Sequence, residues 1–193
     1  VFSKLIFVTK YSMKVKKIKF LVPVDFTDQS QIALDQACNL GKIYNAEITM
    51  LFVFDNTRYR GLFLKPTNAE TVKIAAQEKL TAFAMKTKKE KGLIVKNLLV
   101  EGRIYDVIVD VSKSLAVDLI VMGTTGAVGV KKKFIGTNAI RVIKQAYCPV
   151  ITIKGKQHRP GCGNIVLPID LTKDSTQKVD DAVEMARMFG GAK

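Results

Sequence analysis

The sequence predicts an α/β domain: a doubly wound, five-stranded parallel sheet with Rossmann-like layering, followed by a partial second βα unit. Three observations carry this. Short apolar runs alternate with amphipathic segments from Ile18 onward. The runs are continuously apolar instead of alternating, the pattern of strands covered by helices on both faces. The opening strand and helix then recur after a glycine-rich linker.

Taken in order, KFLVPVD (19–25) is a compact apolar run ending on an acidic residue and reads as the first strand. The following QSQIALDQACNLGKIYN (29–45) has apolar residues at 33, 37, 40 and 44, the spacing of an amphipathic helix. EITMLFVFD (47–55) is a second strand with an acidic end. A linker with Gly61 and Pro66 leads to Thr67-x-x-Glu70, a capping-box pattern opening a helix that Gly92 closes. LIVKNLLVEG (93–102), a helix near 104–116, DLIVMG (118–123), a helix after Gly136 and PVITI (149–153) complete the domain, about residues 15–155. Ligands in such sheets bind beyond the carboxyl ends of the strands, which singles out Asp25, Asp55, Glu101 and Gly123.

Residues 1–14 form an N-terminal extension, with Met13 just before a basic lead-in to the first strand. Residues 156–163 form a linker. Beyond it, 165-IVLPIDLTKDSTQKVDDAVEMARMFGGAK-193 aligns without gaps on 20–48. Pro23, Asp25, Thr27, Ser30, Asp35 and Ala37 match Pro168, Asp170, Thr172, Ser175, Asp180 and Ala182. Residues 164–193 therefore read as the first strand and helix of a second repeat cut short. One βα unit cannot bury both of its faces, so it must dock on the first domain, exchange with another chain, or remain weakly stable.

At 193 residues and 48% hydrophobic, the chain can build a sizeable core. Its net charge of +14, from 31 basic and 17 acidic residues, suits anionic partners or a simply solvated lysine-rich surface. Three scattered cysteines and a single histidine, His158, make no zinc-ligand pattern and fit a reducing cytoplasm. No apolar run reaches the roughly 20 residues needed to span a bilayer, and the run Leu5–Val8 is too short for a signal peptide.

The chemistry concentrates in 123-GTTGAVGVKKKFIGTNAIRVIK-144. Gly123 follows a strand, where a backbone turning toward a ligand benefits from lacking Cβ. Gly136-Thr137 stands where helical periodicity begins, and a helix N-terminus offers unpaired N–H groups and a positive dipole end. Two glycine corners around a loop ending on that helix make a phosphate cradle, with the Thr137 hydroxyl as a further donor. An ordinary glycine-rich β-to-α loop is the plainer alternative. Lys131 to Lys133 are read as solvated, or as one or two groups neutralising phosphate. The P-loop GxxxxGK[ST] and a complete GxGxxG are both absent.

With Gly123-x2-Gly126-x9-Gly136-Thr137 stand VPVDFTDQS on strand one, Glu101-Gly102 ending strand three, DLIVMG and CPVITIK. Together these resemble the ATP-binding branch of the universal stress protein family over about 15–155, within the adenine nucleotide alpha hydrolase-like fold. Residues 164–193 look like the opening of a second such domain. The resemblance implies ATP or AMP over the ends of strands one, two and four, with Mg2+ on its phosphates. Pro23, Val24 and Asp25 would line one side, with Val53 near the adenine edge and Met122 beneath it. Gly123 would lie near the ribose, and Gly126, Gly136 and Thr137 would cradle the phosphates. It further implies a stress or signalling module with slow or no hydrolysis, and homodimers through the strand at 149–153 or through the partial repeat. The half-repeat has no glycine loop, so it makes no complete site of its own.

Other classes fit less well. A serine–histidine–aspartate site would have to use His158 in a glycine-rich linker. Asp25 and Asp170 are repeat equivalents, not a spaced acid/base pair. Cys148 reads as a small packing residue. A nucleotide-dependent hydrolase or transferase would need a base or a substrate domain for which the chain has no room. A basic nucleic-acid-binding protein would need a recognisable RNA or DNA motif.

Overall fold

The structure is a computed structural model that describes residues 17–55, 66–124 and 135–155, with short pieces at 166–167, 179–180, 182–183 and 186–187. Its elements run β1 (Lys19–Pro23), α1 (Asp28–Tyr44), β2 (Glu47–Phe54), α2 (Pro66–Lys91), β3 (Ile94–Glu101), α3 (Ile104–Ser114), β4 (Leu119–Gly123), α4 (Thr137–Gln145) and β5 (Val150–Ile153). The five strands form one parallel sheet in the order β3-β2-β1-β4-β5. The expected doubly wound fold is what the chain adopts.

Strand alternation sorts the apolar side chains into two layers. Phe20 and Val22 of β1, with Ile48 and Met50 of β2, pack against Leu34, Ala37 and Cys38 of α1 and Leu80 and Ala84 of α2. On the other face, Leu21, Leu51, Ile120 and Met122 pack against Ile108 and Val111 of α3 and Ala139 and Val142 of α4. The continuous apolar runs of β1, β2 and β4 are thus explained by burial on both faces. The edge strands differ. β5 is only half-buried along its length, and β3 alternates between exposed and half-buried in its first half. An edge strand has one neighbour and less helix over it, so its apolar run does not imply full burial.

Boundaries moved for local reasons. β1 ends at Pro23 instead of Asp25: the Val24 N–H still bonds the Leu51 carbonyl (2.8 Å), but Phe26 turns into the left-handed region at φ 61° and takes the chain out of the strand. α1 begins at Asp28, with Thr27 as its N-cap accepting from the Ser30 N–H. It ends on Asn45 at φ 50°, whose cap N–H returns to the Gly41 carbonyl. α2 starts at Pro66, a residue suited to a first helical position. Thr67 therefore sits inside the helix, not ahead of it as a capping box would require. Gly92 does close α2, at φ 68° with its N–H on the Lys88 carbonyl (3.0 Å). The extension 1–14, the linker and most of the half-repeat 164–193 lie outside the described residues.

Candidate functional site

A doubly wound sheet opens a crevice where adjacent strands send the chain to opposite faces. Here that point lies between β1 and β4. β1 leads into α1 on one face, and β4 leads into α4 on the other.

The expected site residues divide between those faces. Met122 is buried against Ala139 and Val142 of α4, and Val53 is half-buried against the same cluster. Pro23, one residue past Val22, stands half-buried on that side by alternation. Val24 does not join them. Its side chain is in the opposite layer, 4% exposed, so only its main chain reaches the crevice. Asp25 is exposed at the end of β1. Its Oδ1 accepts from the Thr27 N–H (3.1 Å) and from the Thr27 hydroxyl, which folds the chain into the first turn of α1.

Gly123 has no left-handed backbone. Its requirement is close approach: a Cβ there would lie 3.1 Å from the Gln29 carbonyl oxygen. α1 therefore starts tight against the end of β4, and the Gln29 side-chain amide donates to the Gly155 carbonyl beyond β5 (2.9 Å). The next residue, Thr124, closes the other side. Its N–H bonds the Ile153 carbonyl (3.1 Å), and its carbonyl accepts from the Gly136 N–H (2.6 Å). That second bond brings the start of α4 back to the tip of β4 across 125–134. Gly136 is the N-cap of α4 in extended conformation and, having no side chain, makes no side-chain cap bond of its own. Gly123, Gly136 and Thr137 are thus gathered at one point, while Gly126 and Lys131 to Lys133 lie outside the described residues.

Thr124 was not among the residues expected from sequence. It is 3% exposed, and its hydroxyl oxygen has no hydrogen-bond partner among the described residues. A threonine after a glycine gives no sequence signal for that. Burial pushes the Cys148 thiol up, which argues against a reactive thiolate at β5. Among the described residues no cluster of His, Cys, Asp and Glu could hold a metal ion, and no helix is long and apolar enough to cross a membrane.

Residues 18–154 match the family model described as the universal stress protein family. The chain belongs to that family. It is 34% identical over 139 residues to universal stress protein MJ0531 of Methanocaldococcus jannaschii, covering 70% of this chain and 81% of that one. The solved structure of MJ0577, a universal stress protein of the same organism, superimposes with a TM-score of 0.62 at 27% identity, covering 75% of this chain and all of that one. A universal stress protein from Archaeoglobus fulgidus, solved in complex with dAMP, has a TM-score of 0.54 at 22% identity over 71% of this chain and 98% of its own. At that identity the likeness is one of fold. The crevice between β1 and β4 is therefore the switch point of a universal stress protein sheet, with the glycine corners at its β4 side.

Proposed function

We propose that this chain binds an adenine nucleotide, ATP or AMP with Mg2+, in the β1–β4 crevice, and that it is a nucleotide-responsive stress or signalling module with slow or no hydrolysis. One observation carries the reading: the Gly136 N–H to Thr124 carbonyl bond sets a helix N-terminus with a glycine N-cap at the topological switch point. First-turn N–H groups and the dipole end favour an anion there. The orphaned Thr124 hydroxyl is a second sign that the corner fits a polar group.

In this reading Pro23, Val53 and Met122 supply an apolar wall for the base. Val24 contributes main-chain atoms, and Asp25 offers acceptor oxygens to an amino or ribose hydroxyl group. Gly123 keeps the floor open, and Gly126, Gly136 and Thr137 hold the phosphates. The Gly136 N–H is already engaged with Thr124, so Thr137 and the N–H groups after it are the donors that remain for a ligand. Bound nucleotide supplies the charge that Mg2+ neutralises. Neither a base nor an arginine is assigned to a hydrolytic step. The half-buried edge strand β5 suits pairing with a second copy, which would cover it, and the cytoplasm suits free nucleotide.

Calorimetric titration with ATP and AMP in the presence of Mg2+ tests this on the wild type and on Gly136→Val. Binding by the wild type and at least tenfold weaker binding by the variant are expected. A wild type that binds neither nucleotide sinks the assignment. Equal binding by the variant removes the site from this corner.

A further inference from the structure

In a parallel doubly wound sheet every strand begins, and every helix ends, at the end of the molecule opposite the crevice. The helix C-termini at Tyr44, Lys91, Ser114 and Gln145 therefore gather there with the starts of the strands. Contacts tie them into one surface. Lys91 pairs with Asp35 of α1 (2.8 Å), and a Cβ on Gly41 would lie 3.4 Å from Leu93. In the other layer the Tyr147 hydroxyl shares its proton between the Ser112 and Val117 carbonyls (2.8 Å each), and the Lys19 ammonium donates to the Leu115 carbonyl (2.8 Å). This end is dense in lysine. Lys17, Lys42, Lys88, Lys89, Lys113 and Lys144 are all exposed, and none of the six enters an ion pair among the described residues. The carboxylates near them are already engaged: Glu47 by Lys96 (2.7 Å), Glu90 by Lys86 (3.9 Å), and Asp118 by the Lys19 N–H (2.9 Å). The crevice end carries the reverse pattern, with Asp25, Asp28, Asp55, Glu70, Glu101 and Asp106 at strand ends and early helix positions.

A lysine at a helix C-terminus complements the dipole, which accounts for one in each last turn. It does not account for three in the last turn of α2, for Lys17 outside any helix, or for the apolar side chains set among them. Ile43, beside Lys42, is 54% exposed, and Ile94, three residues past Lys91, is 42% exposed. The chain also enters at this end. Residues 1–16, which lead into Lys17, carry four lysines, no acidic residue and the apolar run Leu5–Val8. Among the described residues the helix ends here hold no arginine. Nucleic acids are gripped best by arginine forks and stacking aromatics. A bilayer surface instead takes compact charges onto its headgroups and aliphatic groups into the layer beneath. We propose that this end is a peripheral docking surface for anionic lipid bilayers, with Lys17, Lys42, Lys88 and Lys89 on the headgroups and Ile43 and Ile94 entering between them. The crevice lies at the opposite end, so docking leaves it open to solution and does not depend on what it binds.

The full chain is sedimented with vesicles of phosphatidylcholine alone and of an equal mixture of phosphatidylcholine and phosphatidylserine. Binding to the mixed vesicles is expected at low ionic strength, with loss of most of it at about 1 M salt, where screening acts beyond roughly 3 Å. Lys42→Gln/Lys88→Gln/Lys89→Gln should bind at least about tenfold more weakly, since one lysine near an anionic surface contributes about fivefold. Lys42→Arg/Lys88→Arg/Lys89→Arg keeps the charge and should bind as the wild type does. Arg103→Gln/Arg141→Gln/Lys154→Gln removes the same charge away from this end and should stay within about twofold of the wild type. Ile43→Ser/Ile94→Ser should bind severalfold more weakly and keep the salt dependence. A wild type that binds the mixed vesicles no better than phosphatidylcholine overturns the proposal. So does an equal loss in the two glutamine triples, which would make net charge and not this end responsible. Tighter binding to single-stranded RNA than to the vesicles, unaffected by the isoleucine changes, would make the partner a nucleic acid and overturn it too.

Discussion

Phe26 shows how much conformational strain a single aromatic residue can hold beside the crevice. It stands between Asp25 and Thr27 at φ 61°, a left-handed conformation unfavourable for a bulky residue. Its ring stacks on Phe52 at 5.1 Å and 26°, leans on Phe83 at 6.2 Å, and carries the Lys79 ammonium 4.4 Å from its centroid. Such contacts contribute about 0.5–1.5 kcal/mol each, enough to offset a backbone cost of roughly 1–2 kcal/mol. The consequence is an inverted order of substitutions. Phe26→Ala loses the ring and keeps the strain, whereas Phe26→Gly loses the ring and relaxes the turn. Denaturant unfolding should find both variants less stable than the wild type, with glycine the better by about 1 kcal/mol. Alanine more stable than glycine would mean that the left-handed turn does not survive without the ring.

Between elements, α1 packs on β1 and β2 in a seam where Cys38 is fully buried beside Leu34 and Ala37. Burial lifts its thiol from 9.0 to about 11, with the Lys91 charge opposing and the Asp35 charge assisting. Below pH 9 the thiol is protonated in both states. Between pH 9 and about 11 the unfolded thiol ionises and the folded one does not, so stability falls as pH rises. The fall should reach roughly 2 kcal/mol by pH 11, measured by urea unfolding. Lys91, raised by its 2.8 Å pairing with Asp35, steepens the fall above its ordinary range. Cys38→Ala should therefore flatten the profile from pH 9 upward without abolishing it; an unchanged slope would show that the thiol is not the group titrating. These seams also mark what the sequence could reveal. β1, β2 and β4 were legible because burial on two faces writes an unbroken apolar run. The edge strand β5 shares that composition, so the same signal overstated its burial, whereas β3 interrupts its run with Lys96 and Asn97. At the crevice, glycine spacing and Asp25 were visible as residue types. That Gly123 is needed for the approach of Gln29, that the Val24 side chain belongs to the core, and that Thr124 is orphaned all depend on contacts among residues distant in the chain.

For the whole molecule, the question is what residues 164–193 do for the domain before them. Among the described residues, both hydrophobic layers are built only from positions between Ile18 and Ile153, and the parallel sheet is complete with β5. The domain thus has its own core and ladder, and at 141 residues (15 to 155 inclusive) it falls in the ordinary size range of an independent fold. β5, half-buried at the sheet edge, stands to gain from further cover. A fragment of residues 15–155 should unfold cooperatively, with a thermal midpoint within about 5 °C of the full chain, since a difference of 1 kcal/mol shifts a domain of this size by a few degrees. Its denaturant slope should be smaller by no more than the share expected from the residues removed, because that slope scales with the surface exposed on unfolding. A fragment that loses cooperativity, or melts more than about 10 °C lower, would require the second segment to pack on this domain as part of its core. An unchanged midpoint alongside a lost dimer would instead assign residues 164–193 to association between copies.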